Sequence, residues 1–296
     1  MLDELLTEQV NPASEGIDAL PGIEILRVIN AEDHKVAPAV AAEIPNIARA
    51  VDAVEAALRA GGRLFYIGAG TSGRLGMLDA VECPPTFNVP PDAVQAVIAG
   101  GEAALSRAFE AAEDDPAAGA RDLQARGFTS RDVLVGIAAS GRTPYVLGAV
   151  AWARQLGAKT IGISCTPGSQ LAEAVDIAIT PLPGPEIIAG STRMKAGTAT
   201  KLVLNMLSTT VMIRLGHVFG NLMVNVQPKS AKLLDRARRI IMRTAGVSYV
   251  EAAQWLEQAG NQVKVAIVMA RLGLDRQEAE ARLEAAGGRI SEALRG

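Results

Sequence analysis

Five short apolar runs, rich in β-branched residues, recur along the chain between segments of helical periodicity. They are RLFYIG (63–68), VQAVIA (94–99), VLVGIA (133–138), TIGIS (160–164) and DIAIT (176–180). Runs that are apolar throughout are typical of strands buried on both faces, as in a parallel sheet covered by helices on each side. The alternation therefore predicts an α/β fold with a doubly wound parallel sheet of about five strands.

The segments around these strands predict helices of three kinds. Residues 46–60 have the spacing of an amphipathic helix, and Pro144 is placed like a first-turn proline of a helix that ends near Leu156. The segment 193–215 is apolar almost all round, which predicts a buried central helix.

The two ends of the chain differ from this pattern. Residues 1–45 read as an acidic, irregular arm with a short helix, and after about residue 238 three short helical patterns follow one another. We therefore predict an N-terminal arm at 1–45, a sheet domain at 46–238 and a small three-helix module at 239–296.

Composition and charge exclude several classes of function. A net charge of −3 gives no basic field that would favour nucleic acid. The acidic N-terminus does not resemble a secretory signal. The longest strongly apolar helical segment, 202–213, is too short to span a bilayer, so no membrane association is expected. The two histidines, His34 and His217, lie far apart without ligand-spaced partners, so no metal site is expected either.

A glycine-rich loop follows the first apolar run. Gly68, Gly70 and Gly73 spell G-x-G-x-x-G, but the dinucleotide interpretation also needs a carboxylate about 20 residues further on, at the end of the second strand. The first carboxylate after that strand, Glu102, comes well beyond this position. Thr71 and Ser72 instead place two adjacent hydroxyl groups in the loop, which favours a phosphate cradle and no cofactor.

Two further hydroxyl-rich turns support this interpretation. ASGRTP follows the third apolar run, and GSTRMK stands at the head of the predicted central helix. Any one of these hydroxyls alone reads more simply as an ordinary helix N-cap. Because ligands gather outside the carboxyl ends of parallel strands, two such loops at corresponding places favour one shared anion. The candidate phosphate-binding residues are Gly70, Thr71, Ser72, Ser140, Gly141, Arg142, Thr143 and Ser191.

Two carboxylates have the placement expected of acid–base groups. In GRLGMLDAVECPP the spacing puts Glu82 on one helix face with Leu75, Leu78 and Asp79, and Pro84 and Pro85 are expected to end that helix. Glu82 would then lie in the last turn, where the helix dipole disfavours a negative charge and keeps a general acid protonated.

Glu113 is the second carboxylate. Leu105, Ala108, Phe109 and Ala112 form an apolar helical stripe, and Glu113 lies at its margin, where partial burial would suit a general base. From spacing alone, both groups could equally be surface carboxylates. A phosphate cradle with two carboxylates and no cofactor fits isomerisation, elimination or hydration of a sugar phosphate.

Several long segments carry a specific resemblance. GAGTSGRLGMLDAVECPPTF, GIAASGRTPYV and GSTRMKAGTATKLVLNMLST, with TEQVNPASEGID near the start, resemble the N-acetylmuramic acid 6-phosphate etherase family of the sugar-isomerase (SIS) superfamily. The likeness extends over nearly the whole chain. The tail, EAEARLEAAGGRISEAL, is similar to ubiquitin-associated three-helix modules, for which a packing role is the simpler interpretation.

The resemblance implies a cytoplasmic, cofactor-free homodimer of cell-wall sugar recycling. Such an enzyme cleaves the D-lactyl ether of N-acetylmuramic acid 6-phosphate to N-acetylglucosamine 6-phosphate and D-lactate. The two family glutamates fall on Glu82, expected to protonate the leaving lactate and then activate water, and on Glu113, expected to act as the base at carbon 2. The phosphate loops fall on Thr71–Ser72 and on Ser140 to Thr143.

Two other functions remain open at this stage. A regulatory sensor of the glucokinase-regulator type would need the phosphate cradle but not the two carboxylates. An aldose–ketose isomerase of phosphosugars would stop after proton transfer.

Overall fold

The sheet is the centre of the first part of the chain. The computed structural model describes residues 6–107 and 109–295, with the main chain only at Glu110. All five predicted strands are confirmed, and they form one sheet of order β2-β1-β3-β4-β5 in which every pair is parallel. The strands are β1 (Leu64–Gly68), β2 (Val94–Ile98), β3 (Val133–Ile137), β4 (Lys159–Ile163) and β5 (Ile177–Ile179).

The burial of the strands explains their sequences. Every residue of β1 and β3 is buried, so both faces of these central strands are covered, as their unbroken apolar runs predict. In the register, Leu64 pairs with Val94 on one side and with Val133 on the other, so the three strand ends lie level. β5, at one edge, is only three residues long.

Helices connect the strands and form most of the remaining chain. The helix predicted at 46–60 is confirmed as Ile44–Arg59, and Pro144 is confirmed in the first turn of the helix Pro144–Gln155. In its described part, from residue 6, the N-terminal arm holds the α-helices Gly22–Asp33 and Val36–Ala42 rather than one short helix. The helices are α1 (Gly22–Asp33), α2 (Val36–Ala42), α3 (Ile44–Arg59), α4 (Gly70–Phe87), α5 (Pro116–Ala125), α6 (Pro144–Gln155), α7 (Gln170–Ala174), α8 (Lys195–Arg214), α9 (Ala231–Ala245), α10 (Tyr249–Gln258), α11 (Val263–Leu272), α12 (Arg276–Ala285) and α13 (Ile290–Ala293).

The predicted central helix is α8, but its burial is incomplete. Val203, Leu207 and Val211 are fully buried, whereas Met206 and Ile213 are exposed. The helix therefore buries one face, and the expectation of burial all round was wrong. α8 has more apolar residues than one helix face can hold, and some of them remain exposed. Its composition alone therefore predicted more burial than the helix has.

The chain divides into two compact units. The first contains residues 1–81 and 92–208, and the second contains residues 82–91 and 209–296. The second unit has its own apolar core, formed by α9 to α13 with Val224 and Val226. The predicted boundary between residues 238 and 239 falls inside α9, because the amphipathic α9 packs its apolar side on the tail helices. The division into an arm at 1–45, a sheet domain at 46–238 and a helical module at 239–296 stays a prediction; residues 1–5 and 296 lie outside the described residues.

A buried ion pair ties the N-terminal arm to α8. Lys195 Nζ donates to Glu32 Oε2 at 2.6 Å, and the Lys195 side chain is fully buried. Asn11 Nδ2 donates to the same oxygen at 2.9 Å, and Lys35 Nζ donates to Glu32 Oε1 at 2.5 Å. Burial alone would raise the pKa of Glu32, but the hydrogen bonds from Lys195, Lys35 and Asn11 lower it to about 2. The carboxylate therefore stays charged in the interior.

This pair predicts a large and asymmetric response to substitution. Lys195→Met should destabilise the fold by about 3–5 kcal/mol, because it leaves a buried carboxylate without its main partner. Lys35→Met removes an exposed partner of the same carboxylate and should cost no more than about 1 kcal/mol. The double variant Lys195→Met/Glu32→Gln should recover much of the loss. Urea denaturation followed by circular dichroism measures all three.

The pH dependence gives a second readout. Because the folded pKa of Glu32 lies below its ordinary value of 4.5, the stabilisation is complete above about pH 4.5 and is lost as pH falls toward about 2. The stability difference between the wild-type protein and the double variant should shrink over that range. Equal effects of Lys195→Met and Lys35→Met, or a difference that grows in acid, would contradict this account.

Candidate functional site

The sheet order creates a crevice between β1 and β3. The connection from β1 through α4 leads to β2 on one side, and the connection from β3 through α6 leads to β4 on the other. The loops that follow neighbouring strands β1 and β3 therefore diverge at the carboxyl edge of the sheet. In open parallel sheets, this switch point is where ligands bind. Both predicted phosphate loops follow these two strands.

The first loop is a single residue, Ala69, between β1 and α4. β1 ends at Gly68 and α4 begins at Gly70, whose φ is +51°. A Cβ at Gly68 would lie 2.7 Å from the amide nitrogen of Gly73, and a Cβ at Gly73 would lie 2.6 Å from Ile98 Cγ1. The glycines of the G-x-G-x-x-G pattern thus allow the helix to start directly on the strand end, with its first amides at the crevice.

Thr71 and Ser72 lie in the first turn of α4. Both are half-buried, and in the described part of the chain neither hydroxyl has a hydrogen-bond partner. Amides and hydroxyls at a helix N-terminus are suited to bind an anion. The start of α4 therefore offers a phosphate group several donors that the fold itself does not use.

The second loop runs from Ala138 to Thr143. Gly141 has a φ of +67°, and a Cβ there would collide with the side chain of Ser169. The Gly141 amide donates to Ala138 O at 2.8 Å, and the Gly141 carbonyl accepts from the Leu171 amide at 2.9 Å, so the turn is fixed on both sides. The Ser140 hydroxyl accepts only a long bond of 3.4 Å from the Arg142 amide.

The hydroxyl of Thr143 does not act as a helix N-cap. Thr143 occupies the N-cap position of α6, yet its side chain makes no capping bond. Ser169, Ser230 and Ser248 do cap their helices, each accepting an amide of the first turn. Thr143 therefore differs from the ordinary caps of this chain.

The third loop, before α8, lies beside the first. The position of a Cβ on Gly197 would be 3.6 Å from Thr71 Cγ2 and 3.7 Å from Thr192 O, so the first turn of α8 packs against that of α4. The buried Glu186 carboxylate accepts the Lys195 and Ala196 amides, each at 3.0 Å. Glu186 therefore already accepts the first amides of α8, and these amides are not open to a second anion. Ser191, which is half-buried, could bind an anion only through its own amide and hydroxyl.

Glu82 lies further along α4, and the expected end of that helix was wrong. α4 continues through Pro84 and Pro85 to Phe87. The fixed φ of proline fits a helix, and near the C-terminus two prolines remove only two ladder bonds. The helix closes with the Asn88 amide donating to Pro84 O at 2.9 Å, and Asn88 then turns to a φ of +54°. Glu82 therefore does not lie in the last turn of α4. The helix dipole then gives no reason for its carboxyl group to stay protonated.

The four residues predicted to lie on one face of α4 also differ in their burial. Asp79 is buried, but Leu78 and Glu82 are exposed. Glu82 instead lines a cavity of about 870 Å³ within the second unit.

Glu113 is not placed as its spacing predicts. The segment forms two short 3₁₀ helices, Glu102–Leu105 and Glu110–Glu113, in place of one α-helix, and Ala108 of the predicted stripe lies outside the described residues. Phe109 is 47% exposed and Glu113 is exposed as well. The prediction that Glu113 is partly buried was therefore wrong. Gly100 and Gly101, both with positive φ, form the turn between β2 and the first of these 3₁₀ helices.

Sequence reasoning missed the role of Asp79. Its carboxylate accepts hydrogen bonds from Tyr66 Oη at 2.8 Å, Asn205 Nδ2 at 2.8 Å and Ser208 Oγ at 3.1 Å. Burial raises the pKa of Asp79, although these bonds oppose the shift. The network fixes α4 against β1 and α8. The only sign of this role in the sequence was the place of Asp79 among the apolar residues of a predicted helix.

The described ranges contain neither a candidate membrane span nor a candidate metal-binding cluster. No helix there is both long and apolar enough to cross a membrane. Residues 6–107 and 109–295 also contain no cluster of three or more histidine, cysteine or acidic residues that could hold a metal ion.

The chain is similar to proteins with a SIS domain. The model of the SIS domain matches residues 111–210, and the model of the glucokinase regulatory protein N-terminal SIS domain matches residues 46–154. A Bacteroides fragilis structure described as a phosphosugar isomerase involved in capsule formation aligns with a TM-score of 0.53 and 21% identity, covering 68% of this chain and 95% of that one. An Escherichia coli protein solved as a ligand complex aligns with a TM-score of 0.50 and 16% identity, covering 68% and 97%. The chain therefore has the SIS fold.

Full-length relatives then give the family. A protein of Aeromonas hydrophila named N-acetylmuramic acid 6-phosphate etherase is 57% identical over 98% of this chain and 98% of its own. Proteins of the same name from Edwardsiella ictaluri and Mesorhizobium japonicum are 56% and 53% identical, each over 99% of this chain and over 98% and 95% of their own. The chain belongs to the N-acetylmuramic acid 6-phosphate etherase family.

Proposed function

We propose that this chain cleaves the D-lactyl ether of N-acetylmuramic acid 6-phosphate, giving N-acetylglucosamine 6-phosphate and D-lactate in cell-wall sugar recycling. The observation that carries the proposal is the 57% identity over 98% of the chain to an enzyme of that name. The donors at the start of α4 that the fold does not use support it, because the substrate carries a phosphate monoester.

The chemistry needs an acid and a base but no redox step. In the open-chain sugar, the aldehyde at carbon 1 acidifies the proton on carbon 2. A base removes this proton, the bond between carbon 3 and the ether oxygen breaks, and an acid protonates the departing lactate. Water then adds to carbon 3 of the resulting alkene while a proton returns to carbon 2. This sequence balances without a cofactor.

Glu82 and Glu113 are the residues proposed for these proton transfers. Glu82 lines a cavity large enough for a sugar, and we assign to it the protonation of lactate and the later activation of water. Glu113 is assigned as the base at carbon 2. Its carboxylate lies in the segment between β2 and α5.

The three loops are proposed to hold the 6-phosphate. Thr71 and Ser72 would donate their hydroxyls alongside the first amides of α4. The β3 loop and the segment before α8 would add hydroxyl and guanidinium donors. The full proposed set is Gly70, Thr71, Ser72, Ser140, Gly141, Arg142, Thr143 and Ser191.

A homodimer in the cytoplasm is part of the same proposal. Ile23 and Leu26 on α1 are 56% and 63% exposed, and Leu78 and Val81 on α4 are 44% and 56% exposed. Large apolar side chains concentrated on helices favour coverage by a second protein surface. A second copy of the chain would also enclose glutamates that are exposed in the single chain.

A regulatory sensor of sugar phosphates is the second candidate function. The match of residues 46–154 to the glucokinase regulatory protein SIS model favours it. A sensor binds the phosphosugar without consuming it, so release of D-lactate distinguishes the two.

The phosphate cradle predicts a binding defect. Ser72→Ala and Ser140→Ala should each raise the KM for N-acetylmuramic acid 6-phosphate about tenfold or more while kcat changes less, because each removes a hydrogen bond to a charged group far from the reacting carbons. Ser248→Ala is the matched control, since Ser248 caps α10 with a complete capping box. It should lower stability by about 1 kcal/mol and leave KM unchanged. An unchanged KM in both loop variants would contradict the cradle.

The assigned roles predict that the two half-steps can be separated. Glu82→Gln should reduce lactate release by roughly 10²–10⁴-fold, as expected for loss of a general acid. Exchange of the carbon 2 proton with deuterated water should persist, because the base and the aldehyde remain. Glu113→Gln should suppress exchange and release together. NMR in deuterium oxide follows both.

Two results would overturn this division of roles. Wild-type lactate release by Glu82→Gln would mean that the acid is another group. If Glu82→Gln instead loses exchange as completely as release, Glu82 is the base at carbon 2. Glu110→Gln, which changes a neighbouring carboxylate of the same segment as Glu113, is the control for that segment and should retain both reactions.

A further inference from the structure

The cavity that Glu82 lines also contains two cations. Its walls are the later part of α4 with residues 88–91, and the segment 223–236 that leads into α9. Lys229 and Arg236 line it together with Glu82, and Glu82 is the only carboxylate of the lining. The cavity therefore carries one more positive charge than negative charge.

The guanidinium of Arg236 is not used by the fold. Among the described residues it has no hydrogen-bond or ion-pair partner, whereas the neighbouring Arg239 is held by Asp235 at 2.8 Å. Lys232, Arg236, Arg239 and Arg243 follow one another at helical spacing on α9, but of these only Arg236 lines the cavity with Glu82. A planar, permanently charged group facing a cavity is suited to bind a carboxylate through two parallel hydrogen bonds.

The proposed substrate carries such a carboxylate close to the reacting atoms. This step rests on the proposed function. N-acetylmuramic acid 6-phosphate has two anionic groups, of which the first is the phosphate. The second is the carboxylate of the lactyl group, whose carbon is only two bonds from the ether oxygen that Glu82 is to protonate. A group that binds it must therefore share the cavity with Glu82.

We propose that Arg236 binds the lactyl carboxylate, with Lys229 as the second cation of the same cavity. Met223, Val226 and Leu233 provide apolar surface against which the lactyl methyl group can pack. Arg236 is then a substrate-binding residue that selects for the lactyl ether. The product N-acetylglucosamine 6-phosphate lacks the carboxylate, so Arg236 distinguishes substrate from product.

Steady-state kinetics separate this role from phosphate binding. Arg236→Ala should raise the KM for N-acetylmuramic acid 6-phosphate about tenfold or more, as expected for a lost charge-assisted bond. The inhibition constant of N-acetylglucosamine 6-phosphate should stay within about twofold, because that molecule carries only the phosphate. Arg236→Lys should be intermediate, since a lysine keeps the charge but not the two parallel bonds. Arg243→Ala removes the same charge from the same helix outside the cavity and should change neither constant.

Isothermal titration with the substrate analogue whose lactyl carboxylate is converted to the carboxamide tests the same contact by binding. The inhibitor N-acetylglucosamine 6-phosphate again serves as the phosphate-only reference. The wild-type protein should bind the carboxylate form about tenfold or more tightly than the carboxamide at a temperature where turnover is negligible. Arg236→Ala should lose most of this preference, because only Lys229 then remains as a cation in the cavity.

Two results would overturn the inference. If Arg236→Ala weakens substrate and N-acetylglucosamine 6-phosphate alike, Arg236 binds the phosphate instead. If the variant keeps the preference for the carboxylate, another group recognises it. A wild-type protein that releases no D-lactate would refute the proposed function, while the titration would still decide whether Arg236 recognises the carboxylate. Equal thermal midpoints of Arg236→Ala and Arg243→Ala exclude misfolding as the cause of a defect.

Discussion

The start of α4 on the end of β1 is the contact on which the proposed site depends. Gly68 and Gly73 approach so closely that a side chain at either position would displace the helix. The approach leaves the first amides of α4, with the hydroxyls of Thr71 and Ser72, at the carboxyl edge of the sheet. Because β3 is the parallel neighbour of β1, the loop that holds Ser140 follows at the same edge. The backbone thus defines the proposed anion site before any charged side chain contributes.

One helix, α4, contains both the proposed phosphate-binding hydroxyls and the proposed acid. α4 carries Thr71 and Ser72 in its first turn and Glu82 five residues before its end at Phe87. Asp79 fixes the middle of the helix through Tyr66, Asn205 and Ser208. The Asn225 amide then donates to Phe87 O at 3.0 Å and fixes its end. The direction of α4 therefore depends on buried polar contacts as well as on apolar packing.

The sequence predicted the sheet well because continuous apolar runs leave few alternatives for a chain of this composition. It also predicted the loops after β1 and β3, whose glycines and hydroxyls carry a local signal. It did not predict that α4 continues through Pro84 and Pro85, since a proline pair stops most helices but is tolerated in a final turn. Nor could periodicity find the Lys195–Glu32 pair, whose partners lie 163 residues apart. Nor did the spacing predict the exposure of Glu113, because the segment forms two short 3₁₀ helices in place of one amphipathic α-helix.

The central claim is that the bond between carbon 3 and the ether oxygen is the one that breaks, with water adding to carbon 3. Turnover of N-acetylmuramic acid 6-phosphate in ¹⁸O-labelled water, followed by mass spectrometry of both products, tests it directly. The account predicts one ¹⁸O atom in N-acetylglucosamine 6-phosphate and none in the hydroxyl group of D-lactate, because the ether oxygen leaves with lactate. Label in the lactate hydroxyl would mean attack at the lactyl carbon and would contradict the account, as would the absence of D-lactate.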